Sequence, residues 1–329
     1  MPIRIAINGF GRIGRMAVRA GWKNPKLQFV AINDLADVAA NAHLLKYDSV
    51  HGIFAGDVRV KGNTIIVGKH TMEVLAEKDP TKLPWAKLKI DVVLECTGRF
   101  TKRAEAAQHI TAGAKQVIIS APADDVDATI VLGVNDGELK KKPQIISNAS
   151  CTTNSLSPVA MVMEQAFGIE RGMMNTIHSY TNDQRILDLP HKDLRRARAA
   201  ALNIIPTTTG ATKAVGKTLP SLKNKMEGVS VRVPTPCGSL TDFVFVAKRA
   251  PKDMAEVNAA LKKAASTVLK GIMEYSEEPL VSSDIVDNPH SAIVDGLSTQ
   301  VNGNLVRVMA WYDNEWGYSC RLVELAAKL

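Results

Sequence analysis

The chain has 329 residues, of which 46% are hydrophobic, 22% charged and 5% aromatic. At roughly 150 residues per domain, this length predicts two domains of ordinary globular composition. The net charge of +8 is spread over many positions and few aromatic side chains accompany it. This argues against a dedicated nucleic-acid-binding surface and favours clefts that attract small phosphorylated ligands.

The four cysteines show neither a CxxC spacing nor a cluster with histidine, so neither a metal site nor a disulfide scaffold is expected. Met1 leads straight into a strand-like segment, from which no signal peptide is expected. No apolar run approaches the ~20 residues of a membrane span. These observations predict a protein of a reducing, cytoplasmic compartment.

Short segments dense in Val and Ile alternate with helical segments through the first half. Because the apolar runs are nearly continuous, they predict a parallel sheet buried on both faces. The predicted strands are 3–8, 28–34, 91–97, 116–120, 129–135 and 144–148. The predicted crossover helices are 12–22, 36–46 and 101–112, and an antiparallel excursion is predicted at 58–73. This pattern indicates an α/β fold with a Rossmann-type doubly wound sheet.

After residue 151 the strands become longer and alternate in polarity, which predicts an α+β domain with a mostly antiparallel sheet. Its strands are predicted at 172–180, 228–234, 239–248 and 305–312, and its amphipathic helices at 156–167 and 252–270. The predicted domains are therefore a nucleotide-binding domain over 1–150, joined by a C-terminal helix at 315–329, and a catalytic domain over 151–314.

A dinucleotide site is indicated by residues 8–14, Asn-Gly-Phe-Gly-Arg-Ile-Gly, which end a strand and open a helix. The glycines permit a tight turn and close approach of the backbone to a pyrophosphate, although alone they also fit a sterically required turn. Twenty residues later the next strand ends in Asp34, whose carboxylate suits a ribose diol. Because it would repel a 2′-phosphate, the sequence predicts NAD rather than NADP.

Cys151 is a candidate nucleophile because it lies where a strand ends and a helix begins. Unpaired N–H groups and the helix dipole favour a thiolate at such a position. His178, at the end of an apolar strand, is its candidate base, although a structural histidine is an equally open interpretation. Cys96, Cys237 and Cys320 lie in or beside apolar segments and are expected to be inert.

Hydroxyl and guanidinium groups indicate candidate anion sites. Ser150 and Thr152 flank the thiol, and residues 207–210, Thr-Thr-Thr-Gly, precede another helix. Each cluster alone is also a common helix cap. Arg232 lies on an otherwise apolar strand, where a phosphate would suit its fork geometry.

Taken together, these segments resemble the phosphorylating glyceraldehyde-3-phosphate dehydrogenases. Six segments carry the resemblance from one end of the chain to the other: 8–15, 43–49, 147–154, 178–183, 206–210 and 311–317. The octapeptide Ser-Asn-Ala-Ser-Cys-Thr-Thr-Asn at 147–154 is highly specific. The resemblance implies an oxidoreductase of glycolysis and gluconeogenesis. Its reaction would convert glyceraldehyde 3-phosphate, NAD and inorganic phosphate to 1,3-bisphosphoglycerate through a cysteine thiohemiacetal and a thioester.

The resemblance also implies residue roles. Cys151 would add to the aldehyde carbon, and His178 would activate it and assist hydride departure. The residues implied for the substrate phosphate are Thr181 and Arg232, with Arg196 contributing to anion binding. Those implied for the attacking phosphate are Ser150, Thr152, Thr209 and Gly210. The implied cofactor-binding residues are Gly9, Gly11, Arg12, Ile13, Gly14, Asp34, Lys78, Ser120 and Asn314.

The loop 181–203 resembles the family segment that packs across subunits of a homotetramer, and Leu187 and Pro190 in it match an NAD-preferring pattern. The chain departs from the family pattern at Ser155, where a second cysteine is frequent, and at Lys78, where arginine is common. Two alternatives stay open. One is a related erythrose-4-phosphate dehydrogenase. The other is a non-catalytic NAD-binding redox sensor or RNA-binding protein.

Overall fold

The computed structural model describes all 329 residues, which form two compact units. The first unit contains Met1–Ile130, Asp136–Ser150 and Ser319–Leu329. The second contains Val131–Asn135 and Cys151–Tyr318. None of the helices combines the length and the apolar character that crossing a membrane requires.

The first unit is built on eleven strands. They are β1 Ile3–Asn8, β2 Leu27–Asn33, β3 Tyr47–Asp48, β4 Gly52–Ile53, β5 Val58–Lys61, β6 Thr64–Val67, β7 His70–Leu75, β8 Val92–Glu95, β9 Gln116–Ile119, β10 Ala128–Thr129 and β11 Ile145–Ser147. Nine of them form one sheet in the order β10-β11-β9-β8-β1-β2-β7-β6-β5, and β3 pairs with β4. Every neighbour pair from β10 to β7 is parallel, and the last two pairs are antiparallel.

The helices of this unit are α1 Arg12–Gly21, α2 Val38–Lys46 and α3 Arg103–Thr111, with short 3-10 segments at Pro80–Lys82 and Asp136–Lys141. The central strands β1 and β8 are buried on both faces, as nearly continuous apolar strands should be. In register, Asn8 at the end of β1 lies beside Asn33 of β2 and Glu95 of β8. The carboxyl ends of these strands, where doubly wound sheets bind ligands, are therefore polar and adjacent.

The predicted strand at 129–135 is wrong beyond its first residue. Ala128–Thr129 pairs with β11, and a hydrogen bond of 2.8 Å from the Ile130 N–H to the Ser147 carbonyl ends that pairing. The N–H groups of Val134 and Asn135 turn back to the Val131 carbonyl, and the Asn135 side chain accepts the Val131 N–H. The apolar run fills the interior of the protein as a turn. A count of Val and Ile residues cannot distinguish such a turn from a buried strand.

The second unit has seven strands in one sheet. They are β12 Ile169–Ser179, β13 Ile205–Thr208, β14 Met226–Val233, β15 Ser239–Ala247, β16 Met273–Ser276, β17 Ala292–Asn302 and β18 Leu305–Tyr312. Their order is β13-β14-β12-β15-β18-β17-β16. The β12–β14 and β16–β17 pairs are parallel and the other four are antiparallel, so the predicted mostly antiparallel sheet is confirmed.

The remaining helices are α4 Cys151–Phe167, α5 Ala211–Thr218, α6 Met254–Ser266 and α7 Trp316–Ala326, with 3-10 segments at Pro220–Leu222 and Ser282–Ile285. Helix α4 is buried along most of its length, and Leu156 and Met163 share one core with Phe243, Phe245 and Val308 of β15 and β18. Close packing of this kind fixes the direction of α4, and with it the position of its first residue, Cys151.

Candidate functional site

The glycine-rich turn between β1 and α1 contains two glycines that the protein itself requires. Gly9 has φ +90, and a Cβ there would lie 2.7 Å from the Thr97 nitrogen. A Cβ on Gly14 would lie 2.3 Å from the Gly9 oxygen. Gly11 differs, because a Cβ there would meet no atom within 4 Å. The protein thus leaves open space at the middle glycine, in front of the first turn of α1, which suits the approach of a phosphate group.

Asp34 lies directly after β2 and faces this turn. Its carboxylate accepts the Phe10 N–H at 2.7 Å and the Ala36 N–H at 2.9 Å. The Arg12 guanidinium makes two hydrogen bonds to the Asp48 carboxylate, at 2.5 and 3.1 Å. The Asp48 carboxyl is buried, which alone would raise its pKa, but hydrogen bonds from two backbone N–H groups and Arg12 lower the pKa to about 2.

Three further residues of this unit were predicted to bind the cofactor. Ile13 is half-buried in the first turn of α1, and Lys78 is exposed after β7. Ser120, half-buried after β9, donates its backbone N–H to the Glu95 carbonyl at 2.9 Å. Burial raises the pKa of the neighbouring Cys96 thiol to about 12, which leaves it un-ionised near neutral pH.

A buried polar network lies beneath the strand ends and was not predicted. The Glu95 carboxylate accepts the Asn8 amide at 2.6 Å and contacts His109 Nε2 at 3.0 Å. Trp85 donates its indole N–H to His109 Nδ1 at 3.0 Å, which places the histidine proton on Nε2. The Asn33 amide donates to Asn8 Oδ1 at 2.7 Å. No local sequence signal joins these residues, because their contacts exist only in the folded sheet.

In the second unit, the fold brings the candidate nucleophile and base together. Cys151 Sγ lies 3.4 Å from His178 Nε2. The other ring nitrogen, Nδ1, lies 2.6 Å from the Ser179 carbonyl, which can only accept, so Nδ1 carries the proton. In the neutral imidazole, Nε2 is therefore unprotonated and faces the thiol.

Burial opposes a charge on either partner alone. It raises the pKa of the Cys151 thiol, while the Arg232 charge and hydrogen bonds from Thr152 act in the opposite direction. Burial also lowers the pKa of His178 to about 3, and the positive charges of Arg232 and Arg196 add to that effect. The helix start therefore does not suffice to make this thiol acidic. Proton transfer from Sγ to Nε2 creates both charges in contact, where each offsets the other.

Tyr312 is a further residue of this site that the sequence did not single out. Its buried hydroxyl lies 2.9 Å from Thr152 Oγ1 and 2.8 Å from Thr176 Oγ1. Its ring makes an edge contact with His178, with centroids 5.9 Å apart. Tyr312 thus supports both the imidazole and the first turn of α4. Its place within the resembling segment 311–317 was the only available signal.

Arg232 and Thr181 form the first candidate anion site. On the parallel strands β12 and β14, Arg232 lies beside His178 in register. Its Nη1 donates to Thr181 Oγ1 at 3.2 Å and to the Ser179 carbonyl at 3.1 Å. Its Nε is buried without a partner. A guanidinium with an unsatisfied buried N–H is suited to an anionic ligand.

The second candidate anion site lies at the start of α5. Gly210 is the N-cap residue, and a Cβ there would meet no atom within 4 Å. Thr209 Oγ1 accepts the Ala211 N–H at 3.2 Å. Ser150 is half-buried immediately before α4.

Arg196, predicted to bind an anion, is already held within its own loop. Its guanidinium pairs with Asp183 and donates to Thr207 Oγ1 at 2.9 Å and to the Thr208 carbonyl at 3.3 Å. Arg196 therefore fixes β13, the strand that leads to Thr209, while its charge still acts on His178.

Asn314 is buried between β18 and α7, and its Oδ1 accepts the Ser239 hydroxyl at 2.9 Å. Its Nδ2 has no protein partner. The preceding Asp313 carboxylate accepts the N–H groups of Glu315 and Trp316, both at 2.8 Å, and so fixes the turn. A fixed amide with a free NH₂ group is suited to a carboxamide ligand.

Comparison with known proteins defines the class of this chain. Residues 3–103 match the NAD-binding domain, and residues 150–314 the C-terminal domain, of glyceraldehyde 3-phosphate dehydrogenase. The open glycine turn beside Asp34 fits such a cofactor, and the chain is an NAD-dependent oxidoreductase. It belongs to the glyceraldehyde-3-phosphate dehydrogenase family, which confirms the family, the fold class and the cofactor predicted from the sequence.

Curated relatives agree over nearly the whole chain. The glyceraldehyde-3-phosphate dehydrogenase of Geobacillus stearothermophilus is 58% identical over 329 residues, 99% of this chain and 98% of the relative. Glyceraldehyde-3-phosphate dehydrogenase 1 of Bacillus subtilis is also 58% identical, with the same coverage. The enzyme of Zymomonas mobilis is 53% identical over 100% of this chain and 99% of its own.

Proposed function

We propose that the chain oxidises glyceraldehyde 3-phosphate with NAD and inorganic phosphate, giving 1,3-bisphosphoglycerate and NADH. The observation that carries this proposal is the contact of 3.4 Å between Cys151 Sγ and an unprotonated His178 Nε2. The unit that holds this contact also holds the Arg232–Thr181 anion site. Its family membership and the matched NAD-binding domain support the same reaction.

The first chemical step is proton transfer from Sγ to Nε2, after which the thiolate adds to the aldehyde carbon. The protonated imidazole then donates to the oxygen of the thiohemiacetal. It takes that proton back as hydride leaves and the carbonyl re-forms as a thioester. NAD supplies the hydride acceptor when bound. The polarised contact of His178 with Ser179 keeps Nε2 aimed at these atoms throughout.

Phosphate then attacks the thioester carbon and displaces Cys151 as thiolate. Two anions must therefore be held, the substrate phosphate and the attacking phosphate. We assign the first to Arg232 and Thr181, because their contact leaves Arg232 Nε for a ligand. We assign the second to the hydroxyl of Ser150, Thr152 and the helix start at Thr209 and Gly210. In this scheme Arg196 acts mainly by fixing β13 and by its charge.

The nucleotide is assigned to the glycine turn and Asp34 in the first unit, and the nicotinamide carboxamide to Asn314. We therefore propose that Met1–Ser150 with the C-terminal segment serves as the NAD-binding domain, and 151–314 as the catalytic domain. Asp34 supports a preference for NAD, since its carboxylate would meet a 2′-phosphate as a like charge.

We propose further that the protein is a cytoplasmic homotetramer without a bound metal. Six apolar side chains of the 181–204 region are between 60% and 90% exposed: Ile186, Leu187, Leu189, Leu194, Leu202 and Ile204. Several large apolar side chains exposed in one segment are typical of an interface. Light scattering during gel filtration should give about four times 35.6 kDa.

The test is NADH formation from purified protein with the aldehyde, NAD, NADP and phosphate each varied. We expect NADH to form only when phosphate is present and NAD to be far better than NADP. Faster oxidation of erythrose 4-phosphate would favour the related dehydrogenase. No oxidation of either aldehyde, together with salt-sensitive RNA binding, would favour the alternative hypothesis of a non-catalytic RNA-binding protein.

A further inference from the structure

Ser239 is the first residue of β15 and is completely buried, and the proposed reaction gives it no role. The antiparallel ladder of β12 and β15 ends at the pair Ile177–Leu240. Beyond that pair, the Ser239 hydroxyl accepts the Ser179 N–H at 3.1 Å, in place of a backbone acceptor. The same hydroxyl donates to Asn314 Oδ1 at 2.9 Å. One oxygen therefore joins the end of β12 to the Asn314 side chain.

Ser179 is the residue that orients the base. Its carbonyl lies 2.6 Å from His178 Nδ1 and accepts Arg232 Nη1 at 3.1 Å. Its own hydroxyl donates to the Gly238 carbonyl at 3.3 Å. The position of this carbonyl decides both the tautomer of His178 and the direction of its ring. The Ser239 hydroxyl holds the same residue at its N–H, which belongs to the preceding peptide group, between His178 and Ser179.

Neither Ser239 nor its neighbours can shift freely. Gly238 has φ +88, and a Cβ there would lie 2.2 Å from the Ser282 oxygen, so the backbone before Ser239 is tightly packed. The Ser239 hydroxyl is also the one side-chain partner of the Asn314 amide. Because Ser239 must accept from Ser179, its single proton goes to Asn314 Oδ1, which leaves the Nδ2 group of Asn314 available to a ligand.

We propose that Ser239 is a positioning residue that couples the Asn314 carboxamide site to the His178–Cys151 pair. The proposal rests on the proposed function, because it takes Asn314 as the group that binds the nicotinamide carboxamide. Its consequence is that a single hydroxyl sets both the affinity for NAD and the reactivity of the Cys151 thiol, although it forms its hydrogen bonds with Ser179 and Asn314 and with neither the thiol nor the imidazole.

The test compares Ser239→Ala with Thr241→Val in the full-length protein. Thr241 lies two residues further along β15, is equally buried, and donates its hydroxyl to the Ala310 carbonyl at 3.1 Å. Its loss therefore removes a similar buried hydrogen bond, and a contact of 3.5 Å with Ser155 Oγ, without touching Ser179 or Asn314. Ser239→Thr keeps the hydroxyl and serves as the rescue variant.

Two readouts do not depend on turnover. The first is the rate of Cys151 alkylation by iodoacetamide in the absence of NAD, with the modified thiol identified by mass spectrometry. The second is NAD affinity by calorimetry. For Ser239→Ala we expect about tenfold weaker NAD binding and about tenfold slower alkylation, the size of one lost buried hydrogen bond. Thr241→Val should change neither, and Ser239→Thr should recover most of both.

Equal values for Ser239→Ala and Thr241→Val would overturn the proposal. A change in only one of the two readouts would also overturn it, because the proposal is the link between them. Thermal melting of all three variants separates a general loss of packing, which would affect Thr241→Val too. Wild-type NADH formation is measured in parallel. If it fails, the proposed reaction is wrong, while the two readouts still decide the role of Ser239.

Discussion

Replacing His178 by Asn should change the pH dependence of Cys151 chemistry. The imidazole pKa of about 3 means that His178 stays unprotonated, and so able to accept the thiol proton, from about pH 5 upward. Alkylation of the wild-type thiol should therefore vary little between pH 6 and pH 9. Without the imidazole, only free thiolate reacts, and burial raises the Cys151 pKa above its ordinary value of 9.0. At pH 7 fewer than about one thiol in 100 would then be ionised.

We therefore expect His178→Asn to slow alkylation at pH 7 by about 100-fold, within the range that a general base contributes. The mutant rate should rise nearly tenfold for each pH unit up to pH 9. The assay is iodoacetamide inactivation in the apo protein across this pH range, with Cys151→Ser as the control that assigns the modified thiol. A mutant profile as flat as the wild-type one would refute the assignment of His178 as base. As a control, the NAD affinity of the mutant should equal that of the wild type.

The remaining predictions concern the two anion sites, the glycine turn and one buried carboxylate. Gly14→Ala should destabilise the apo protein, because its Cβ would lie 2.3 Å from a backbone oxygen. Gly11→Ala should instead melt normally and bind NAD at least about tenfold more weakly. Melting curves measure the first effect and calorimetry the second. Arg232→Gln should raise KM for glyceraldehyde 3-phosphate by about 10- to 100-fold, the size of a lost charged hydrogen bond, with NAD affinity unchanged; a change confined to NAD affinity would contradict the assignment. Asp48, whose folded pKa is about 2, contributes about 2 kcal/mol of stability that is present above pH 4 and lost as the pH falls through 2. Denaturant unfolding of Asp48→Asn should show that deficit at pH 7 and little of it near pH 2, and an equal deficit at both would contradict the charge argument.

Much of the first unit could be predicted because its signals are local. The glycine turn, Asp34 after the second strand and the Val- and Ile-rich strands each depend on neighbours in sequence. The prediction of secondary structure failed where packing between residues distant in sequence determines the structure. The segment Val131–Asn135 has strand-like composition but closes on itself as a turn. Strand β17 was missed because Asp295 and Gly296 interrupt its apolar pattern, and its register breaks between Asp295 and Gln300.

Candidate site residues divide in the same way. Cys151 was visible from its place before a helix, and that helix begins at the cysteine itself. From the sequence, contact between Cys151 and His178 and a purely structural role for the histidine were equally open. A separation of 27 residues along the chain gives no information on the distance between the two side chains. The supporting hydroxyls of Ser239 and Tyr312 depend on the register of β15 and β18 and could not be inferred. The expectation of an acidic thiol omitted burial, which the sequence does not give.

The partner that orients His178 is a backbone carbonyl, and this choice has a consequence for the charge of the site. In many hydrolytic enzymes a buried carboxylate holds the catalytic histidine, and its negative charge makes the imidazole more basic. Here the Ser179 carbonyl supplies the same direction without a net charge. A carboxylate at this point would lie beside Arg232, neutralise it and repel both phosphates of the reaction. Because the group that orients His178 is neutral, the site keeps its positive potential for two multiply charged anions at once.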